Sequence, residues 1–341
     1  MKSWIIRIGV IVLCFLIPAS VRWDTLPLSA PVQSSNPVTL PTWRDSITCW
    51  VVAQRDIPIR QYFKWMDSVA QAYDTLLPYQ LSEHLIARAN PWLIDSLAAT
   101  DYYVQMERGK FIYDQAGMII LHTGDSLGIP DSVFGRHLLE KLAATTIDVN
   151  IPEFTLRIIE AGDTLYRFPV RVGRNEKKYL AMAGRVVDLK TATGTGKIMR
   201  IERYPRWINP SDNKPYEVTR RDDHRVTACP QIPWLEPEIG SLRQGQLIHP
   251  TTNPKTLGKA YSNGCIGMRE ADSWRVYYHA PIGTQVVFRY DLLVIGPEGD
   301  MVRLKDIYRK TGDGGRWTGD GGRGMFKKVC QSISPALRFK K

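Results

Sequence analysis

A histidine and a cysteine lie within one short stretch of this chain, residues 247–269. His249 comes first, and Cys265 follows Gly264 in the sequence Ser-Asn-Gly-Cys-Ile-Gly. A thiol near an imidazole can perform covalent acyl transfer, because the imidazole takes the thiol proton and the thiolate then attacks a carbonyl carbon. Gly264 permits a sharp turn that aims amide N–H groups at the resulting oxyanion. These residues predict Cys265 as nucleophile and His249 as proton acceptor and donor.

The surroundings of this pair predict a loop held between strands. Residues 246–248 and 284–288 are apolar and strand-like. The histidine precedes the cysteine, whereas papain-like and NlpC/P60-type peptidases have the opposite order. His224 and His279 are alternative bases. We interpret His224 as a solvated loop residue and His279 as a structural residue at a helix end.

Several blocks of the sequence, in order, resemble the L,D-transpeptidase (YkuD) catalytic domain over most of residues 151–291. The histidine, spacer and Ser-x-Gly-Cys motif carry the resemblance. Residues 154–173 resemble the family's opening hairpin, residues 191–196 its Thr-Pro-x-Gly loop with Ala192 replacing proline, and residues 277–284 the turn into its closing strand. The expected fold class is α+β, with a mostly-β L,D-transpeptidase-like catalytic domain preceded by a mainly helical N-terminal region.

The resemblance also implies roles for residues beside the pair. A backbone carbonyl next to the histidine, here that of Pro250, would orient the imidazole. The amide N–H groups of Gly264 and Cys265 are the candidates for the oxyanion hole. Ser262 either supports the turn or contacts substrate.

Two positions depart from the family pattern. Asn263 stands where members commonly have histidine, and Gly267 stands where many have Arg or Asn. Asn263 could keep a local hydrogen bond, but Gly267 carries no charge for a substrate carboxylate. Arg269 would either meet that carboxylate or form an outward salt bridge. Ser262, Asn263 and Arg269 are therefore the predicted substrate-binding residues.

The substrate implied by the resemblance is a peptidoglycan tetrapeptide stem. The thiolate would attack the carbonyl between residue three and the terminal D-residue, release that D-amino acid, and pass the acyl group to a stem-peptide amine in a 3–3 cross-link. Water as acceptor would make the protein an L,D-carboxypeptidase, and a protein amine would make it a protein-anchoring enzyme. A non-catalytic peptidoglycan-binding scaffold is the rival hypothesis, which the intact cysteine and histidine oppose.

Charge is concentrated at the C-terminal end of an otherwise ordinary globular composition. The 341 residues carry a net charge of +11, and the segment from Arg303 onward holds eleven Lys and Arg against three Asp. The remainder, about +3, leaves no footprint for nucleic acid. The basic end predicts attraction to anionic envelope polymers or lipid headgroups, or is simply solvated.

The cysteines predict neither a disulfide framework nor a metal site. Five are present: Cys14 lies in the predicted signal, a nucleophilic Cys265 must stay free, and Cys49, Cys229 and Cys330 cannot pair completely. No CxxC spacing or Cys/His cluster occurs, so we expect no metal or other cofactor.

The N-terminus is typical of an exported protein. Residues 1–22 are predicted to be a signal peptide or an uncleaved anchor. The apolar run 8–17 is short for a membrane span, which favours a signal peptide. Cleavage after Ala19 is weakly supported, since Ile17 stands two positions earlier. Membrane anchoring through residues 4–17 is the alternative. The predicted location is the periplasm or cell envelope, with or without an inner-membrane anchor.

Composition divides the rest of the chain. Residues 23–43 predict a linker, residues 44–150 a helical N-terminal region, residues 151–291 the catalytic domain, and residues 292–341 a basic Gly-rich tail. One helix face in the second segment is defined by Tyr62, Trp65, Met66, Val69 and Tyr73.

Local signals add detail. Asn90-Pro91 interrupts a helical stretch, and Asp131 is the predicted N-cap of a helix that runs to about Ala144. Residues 162–165 resemble the opening of a LysM module, but the strand-like residues that follow favour a hairpin. Residues 206–237, rich in Trp, Pro and Tyr, predict a loop that covers substrate.

Overall fold

The structure is a computed structural model that describes residues 46–240, 245–296 and 298–309. The predicted signal or anchor, the linker, and the tail beyond residue 309 lie outside these residues. Within this part of the chain, no helix has both the length and the apolar character needed to cross a membrane.

In the described residues, all the α-helices except the last precede residue 144. In the described residues their bounds are α1 Ile59–Asp74, α2 Glu83–Ala89, α3 Pro91–Ala98, α4 Tyr102–Glu107, α5 Ser132–Ala143 and α6 Glu270–His279. Short 3-10 turns occur at Gln115–Gly117, Ile151–Glu153 and Pro254–Thr256.

The strands are mostly short and lie mainly after α5. Their bounds are β1 Ile47–Val52, β2 Ile57–Pro58, β3 Ile119–Leu121, β4 Ser126–Pro130, β5 Thr145–Asn150, β6 Thr155–Glu160, β7 Asp163–Pro169, β8 Val172–Gly173, β9 Lys177–Leu180, β10 Arg185–Asp188 and β11 Gly194–Glu202. They continue with β12 Ile208–Asn209, β13 Lys214–Pro215, β14 Val218–Arg220, β15 Val226–Ala228, β16 Trp234–Ile239, β17 Ile248–Pro250, β18 Ala260–Ser262, β19 Ile266–Met268, β20 Gln285–Arg289, β21 Leu293–Ile295 and β22 Met301–Arg303. The α+β class is confirmed.

Local sequence signals set several helix ends. The Asp131 carboxylate accepts hydrogen bonds from the backbone N–H groups of Val133 and Phe134, at 2.9 and 2.7 Å, and so caps α5 as predicted. Helix α2 ends at Ala89 and α3 begins at Pro91, because proline fits the first helical turn but not a helix interior. The predicted apolar face of α1 is likewise in the core.

One eight-stranded sheet organises the second half of the molecule. Its strand order is β19-β17-β16-β11-β20-β5-β6-β7. The β6–β7 hairpin confirms the predicted turn, which Ala161 and Gly162 make with positive φ angles of 52° and 93°. At the opposite end, β17 and β19 run parallel; β17 contains His249, and β19 begins directly after Cys265.

Three segments differ from their sequence-based outlines. Strand β5 precedes residue 150 but lies inside the eight-stranded sheet, between β20 and β6. Residues 206–237 contain the hairpins β12–β13 and β14–β15 and most of β16, rather than an irregular loop. Residues 293–303 form the β21–β22 hairpin where we predicted tail, because apolar residues flank a Gly-containing turn.

The helical region and α6 share one hydrophobic core. Helices α1, α2 and α3 bury their apolar faces with Trp274, Tyr277 and Tyr278 of α6. The hydroxyl groups of Tyr62 and Tyr278 are hydrogen-bonded at 2.6 Å. Helix α6 begins two residues after β19, so this core supports the strand that follows Cys265.

A buried polar network joins the same elements. Arg221 and Glu270 are 2% and 1% exposed and form an ion pair. Gln115 donates a hydrogen bond to the Glu270 carboxylate at 2.7 Å, and the backbone N–H of Tyr102 donates another at 3.0 Å. The paired and hydrogen-bonded charges connect the β14–β15 hairpin to α6 and to the helical region.

We expect Arg221→Ala to lower the free energy of unfolding by about 3–5 kcal/mol, because the substitution leaves the Glu270 carboxylate buried without its cation. Denaturant titration would measure the change. The matched control is Asp95→Ala, which removes the exposed ion pair with Arg275 on the outer side of α6 and should cost no more than about 1 kcal/mol. Equal effects of the two substitutions would contradict the structural role of the buried pair.

Candidate active site

Two adjacent parallel strands bring His249 and Cys265 together. Their register pairs Ile248 with Ile266 and His249 with Gly267, so the cysteine lies just before the strand that flanks the histidine. The backbone N–H of Leu247 donates a hydrogen bond to the Cys265 Sγ at 3.3 Å. The thiol therefore lies against the chain two residues before the imidazole.

The imidazole of His249 has a defined tautomer. Its Nδ1 lies 2.8 Å from the carbonyl oxygen of Pro250. Because a carbonyl oxygen can only accept a hydrogen bond, Nδ1 carries the proton and Nε2 of the neutral ring is the basic nitrogen. Trp207 limits the ring on one side, with a centroid distance of 5.9 Å.

The turn before the cysteine is built around the Ser262 hydroxyl. Its Oγ donates a hydrogen bond to the Cys265 carbonyl oxygen at 2.6 Å and accepts one from the Gly264 N–H at 3.1 Å. Gly264 has a φ of 111°, which favours glycine. In this structure the Gly264 N–H is thus engaged with Ser262 and does not face an oxyanion as we predicted. Of our two predicted donors, the N–H of Cys265 has no acceptor in the described part of the chain.

The loop that resembles Thr-Pro-x-Gly braces this turn. Thr191 donates a hydrogen bond through Oγ1 to the Gly264 carbonyl oxygen at 2.9 Å. Gln246 accepts a hydrogen bond from the Ala192 N–H at 3.0 Å and donates to the Lys190 carbonyl at 2.9 Å. Sequence reasoning did not identify Gln246, although its place two residues before β17 is a signal that could have done so.

The remaining predicted substrate-binding residues occupy different environments. The Asn263 Oδ1 accepts a hydrogen bond from Arg174 at 2.8 Å, so Asn263 keeps a local bond. Arg269 is exposed at the start of α6 and does not line the cavity beside His249. Arg171, which the sequence did not single out, lines that cavity instead.

Two cavities share part of their walls, and His249 lines the smaller one. The smaller, about 60 Å³, is lined by Arg171, Trp207, Tyr216, Thr219, Cys229, Pro230, His249, Pro250, Thr251 and Thr252. The larger, about 580 Å³, shares Trp207, Tyr216 and Cys229 with it and extends to Ile59, Arg60 and Phe63 of α1. Residues 206–237 thus form much of the wall of both cavities, and the helical region forms another part.

Helix α4 also supports the segment beside the histidine. The Tyr103 hydroxyl donates a hydrogen bond to the Thr252 carbonyl oxygen at 3.0 Å and accepts one from the Asp222 N–H at 2.9 Å. Thr252 lies three residues after His249. The helical region therefore fixes both this segment and the loop after β14.

Burial keeps both candidate reactive groups neutral. Burial, together with the nearby charge of Arg171, lowers the pKa of His249 to about 4, although the hydrogen bond to Pro250 opposes the shift. Burial raises the pKa of the Cys265 thiol above its usual value, against the smaller opposite effects of the Leu247 N–H and Arg171. At pH 7 the resting pair is thus a thiol and a neutral imidazole, not a thiolate–imidazolium pair.

We expect no thiolate absorbance from Cys265 in the ultraviolet at pH 7, and its appearance only above roughly pH 8.5, the usual thiol pKa. The measurement is the difference spectrum between wild type and Cys265→Ala during a pH titration, which cancels the other cysteines. A thiolate already formed at pH 5–7 would contradict the neutral pair, because a preformed ion pair has a depressed thiol pKa.

The alternative bases are placed away from this pair. His279 is 4% exposed at the end of α6, with Nδ1 2.8 Å from the Arg275 carbonyl oxygen and its ring against Tyr166. His224 is exposed in the turn between β14 and β15, where its φ is 68°. These positions agree with the structural and solvated roles that we predicted for them.

Residues 144–288 match the family model of the YkuD L,D-transpeptidase catalytic domain. The match confirms, for this part of the chain, the resemblance that the sequence indicated. No curated protein matches the chain.

Solved structures of L,D-transpeptidases are also similar to the chain. The enzyme from Mycobacterium smegmatis is 15% identical over 49% of this chain and 63% of its own, with a TM-score of 0.30. That from Xylanimonas cellulosilytica is 13% identical over 70% and 97%, with a TM-score of 0.32. L,D-transpeptidase 3 from Mycobacterium tuberculosis, in complex with a faropenem-derived adduct, is 17% identical over 48% and 64%, with a TM-score of 0.29. The chain spans less than two thirds of the first and third of these.

Proposed function

We propose that the protein is a peptidoglycan L,D-transpeptidase that transfers an acyl group from a tetrapeptide stem through Cys265. The observation that carries the proposal is the hydrogen bond between His249 Nδ1 and the Pro250 carbonyl, beside the strand that follows the cysteine. It leaves Nε2 free to take a proton. The match of residues 144–288 to the L,D-transpeptidase family model supports the reaction class.

In the first step the Cys265 Sγ–H proton passes to His249 Nε2 while Sγ bonds to the carbonyl carbon between residue three and the terminal D-residue. The tetrahedral oxyanion then collapses, the C–N bond breaks, and the imidazolium returns the proton to the leaving amine. The products are a thioester and a free D-amino acid. The neutral resting pair suits this order of steps, because His249 is unprotonated when the acyl donor binds.

In the second step a stem-peptide amine attacks the thioester carbonyl. His249 removes a proton from the attacking nitrogen, the C–S bond breaks, and the thiolate regains a proton from the imidazolium. The product is a 3–3 cross-link. Water in place of the amine would yield the L,D-carboxypeptidase reaction, and a protein amine would yield protein anchoring.

The location proposed for this activity is the periplasm or cell envelope, where its peptidoglycan substrate lies. Retention would come from a membrane anchor at residues 4–17 or from the basic end of the chain on anionic envelope polymers. The first lies outside the described residues, and so does the second beyond residue 309. The net charge of +11 is positive, so the chain is attracted to anionic polymers.

The test has two stages; the first is read by the mass of the intact protein and the second by the masses of the peptide products. A carbapenem should add its full mass to wild type, since ring opening releases no leaving group, and add nothing to Cys265→Ala. A tetrapeptide stem with an amine acceptor should then lose its terminal residue and yield the cross-linked dimer. Hydrolysis alone would identify a carboxypeptidase, and a wild-type protein that reacts with neither compound would identify a scaffold.

A further inference from the structure

Arg171 lies directly over the strand that follows the cysteine. Its backbone exchanges two hydrogen bonds with Gly267, at 2.8 and 3.0 Å. A Cβ atom added to Gly267 would lie 2.5 Å from the Arg171 Nε and 2.9 Å from its Cγ. The arginine side chain therefore occupies the space where a side chain of residue 267 would begin.

The guanidinium of Arg171 has no anionic partner in the described residues. Its Nη1 donates one long hydrogen bond, 3.3 Å, to the Thr256 hydroxyl, and its buried Nε has no partner. By contrast, Arg221 is paired with Glu270. A largely buried cation without a counter-ion is unfavourable, and a bound anion would relieve that cost.

The same guanidinium lines the small cavity together with His249. That cavity of about 60 Å³ has the size of one carboxylate, or about two water molecules. The charge of Arg171 also acts on both His249 and Cys265, so it lies within electrostatic reach of both groups. An anion held by Arg171 in this cavity would therefore lie next to the His249 imidazole.

The proposed reaction brings an anion to this place. The donor is cleaved one residue before its end, so the nitrogen that receives the proton from His249 is bonded to the carbon that carries the terminal carboxylate. A cation beside the imidazole is then positioned for that carboxylate. Guanidinium groups bind carboxylates through two parallel, charge-assisted hydrogen bonds.

We infer that Arg171 binds the terminal carboxylate of the acyl donor and thereby selects stems that end one residue after the scissile bond. It supplies from a neighbouring chain segment the charge that Gly267 lacks. The inference rests on the proposed function. It assigns donor selection to Arg171 rather than to Arg269, which is exposed outside the cavity.

The experiment compares a tetrapeptide stem that ends in a free carboxylate with the same peptide ending in a carboxamide. Binding is measured by calorimetry to Cys265→Ala, which cannot react. We expect the carboxylate peptide to bind roughly 10- to 100-fold more tightly, the range for charge-assisted hydrogen bonds. In Cys265→Ala/Arg171→Gln the ratio should fall to about one, and in the control Cys265→Ala/Arg269→Gln it should persist.

A relocation variant guards against a purely structural effect. Gly267→Arg alone would collide with Arg171. The double variant Arg171→Ser/Gly267→Arg places the guanidinium on the neighbouring chain segment instead, and it should restore the preference for the carboxylate peptide. A ratio unchanged by Arg171→Gln, or lost in the Arg269 control, would overturn the inference. Equal binding of both peptides overturns only the role of Arg171, whereas failure to bind either peptide also contradicts the proposed function.

Discussion

Cys265→Ala and Cys265→Ser should both abolish the covalent acyl-enzyme, with a loss of acylation rate of roughly a thousandfold or more. The alanine variant has no nucleophile. The serine variant keeps the shape of the side chain, but its hydroxyl is far less acidic than a thiol and is a poor nucleophile for a base with a pKa of about 4. The free energy of unfolding should change by no more than about 1 kcal/mol, because the hydrogen bond that is lost is a single one, from the Leu247 N–H to the sulfur.

The matched control for this prediction is Cys229→Ser. Cys229 is a free thiol that lines both cavities, and burial raises its pKa to about 11, so it should remain unreactive. Intact mass after incubation with a carbapenem or a stem tetrapeptide would record the adduct, and denaturant titration would record stability. An adduct on Cys229, or wild-type acylation of Cys265→Ala, would refute the choice of nucleophile.

His249→Ala should lower the acylation rate by about 10²–10⁴-fold with little change in stability, since it removes the proposed general base. His279→Ala should instead lower stability and leave the acylation rate nearly unchanged. It deletes a buried ring that packs on Tyr166 and bonds to the Arg275 carbonyl, so it should lower the free energy of unfolding by about 1–3 kcal/mol. Acylation by the folded variant should remain near the wild-type rate.

Single-turnover acylation and denaturant titration on both histidine variants separate the two roles. The pH profile adds a check, because the wild-type rate should fall only as pH drops towards about 4, where His249 becomes protonated. If His279→Ala lost activity at unchanged stability while His249→Ala kept it, the choice of base would be wrong.

Features with a local cause were predictable from the sequence. The Asp131 cap, the break at Asn90-Pro91 and the β6–β7 hairpin each depend on a few consecutive residues. The order of His249 and Cys265 was equally informative, because the two residues flank one loop. In these cases the chemistry of neighbouring residues restricts the backbone to few conformations.

Features that depend on contacts between distant segments were missed. Arg171 gave no signal of its own, because one arginine in a strand is ordinarily a solvated residue. Its significance follows from the close approach to Gly267, which only the folded sheet creates. The missing side chain at Gly267 was visible in the sequence, but it suggested a lost charge rather than space filled from elsewhere.

The orientation of the turn before Cys265 was not predictable from the sequence for a similar reason. The sequence identified a flexible glycine before the cysteine, but not which way its N–H points. The Ser262 hydroxyl captures that N–H and the Cys265 carbonyl, and this fixes the orientation of the turn. Either role of Ser262 was compatible with the residue type alone, so three-dimensional placement was needed to assign it to the turn.

The core shared between α6 and helices α1–α3 has a consequence for how such a domain can be inherited. The segment that the family defines, residues 144–288, includes α6 but not the helices that cover Trp274, Tyr277 and Tyr278. If the chain were cut at that boundary, residues 144–288 would expose the aromatic side chains of α6 to water. The segment that matches the family is therefore not the same as the unit that folds. Transfer of residues 144–288 into another gene would succeed only with a new cover for α6, and substitutions in α1–α3 are therefore constrained by their packing against α6.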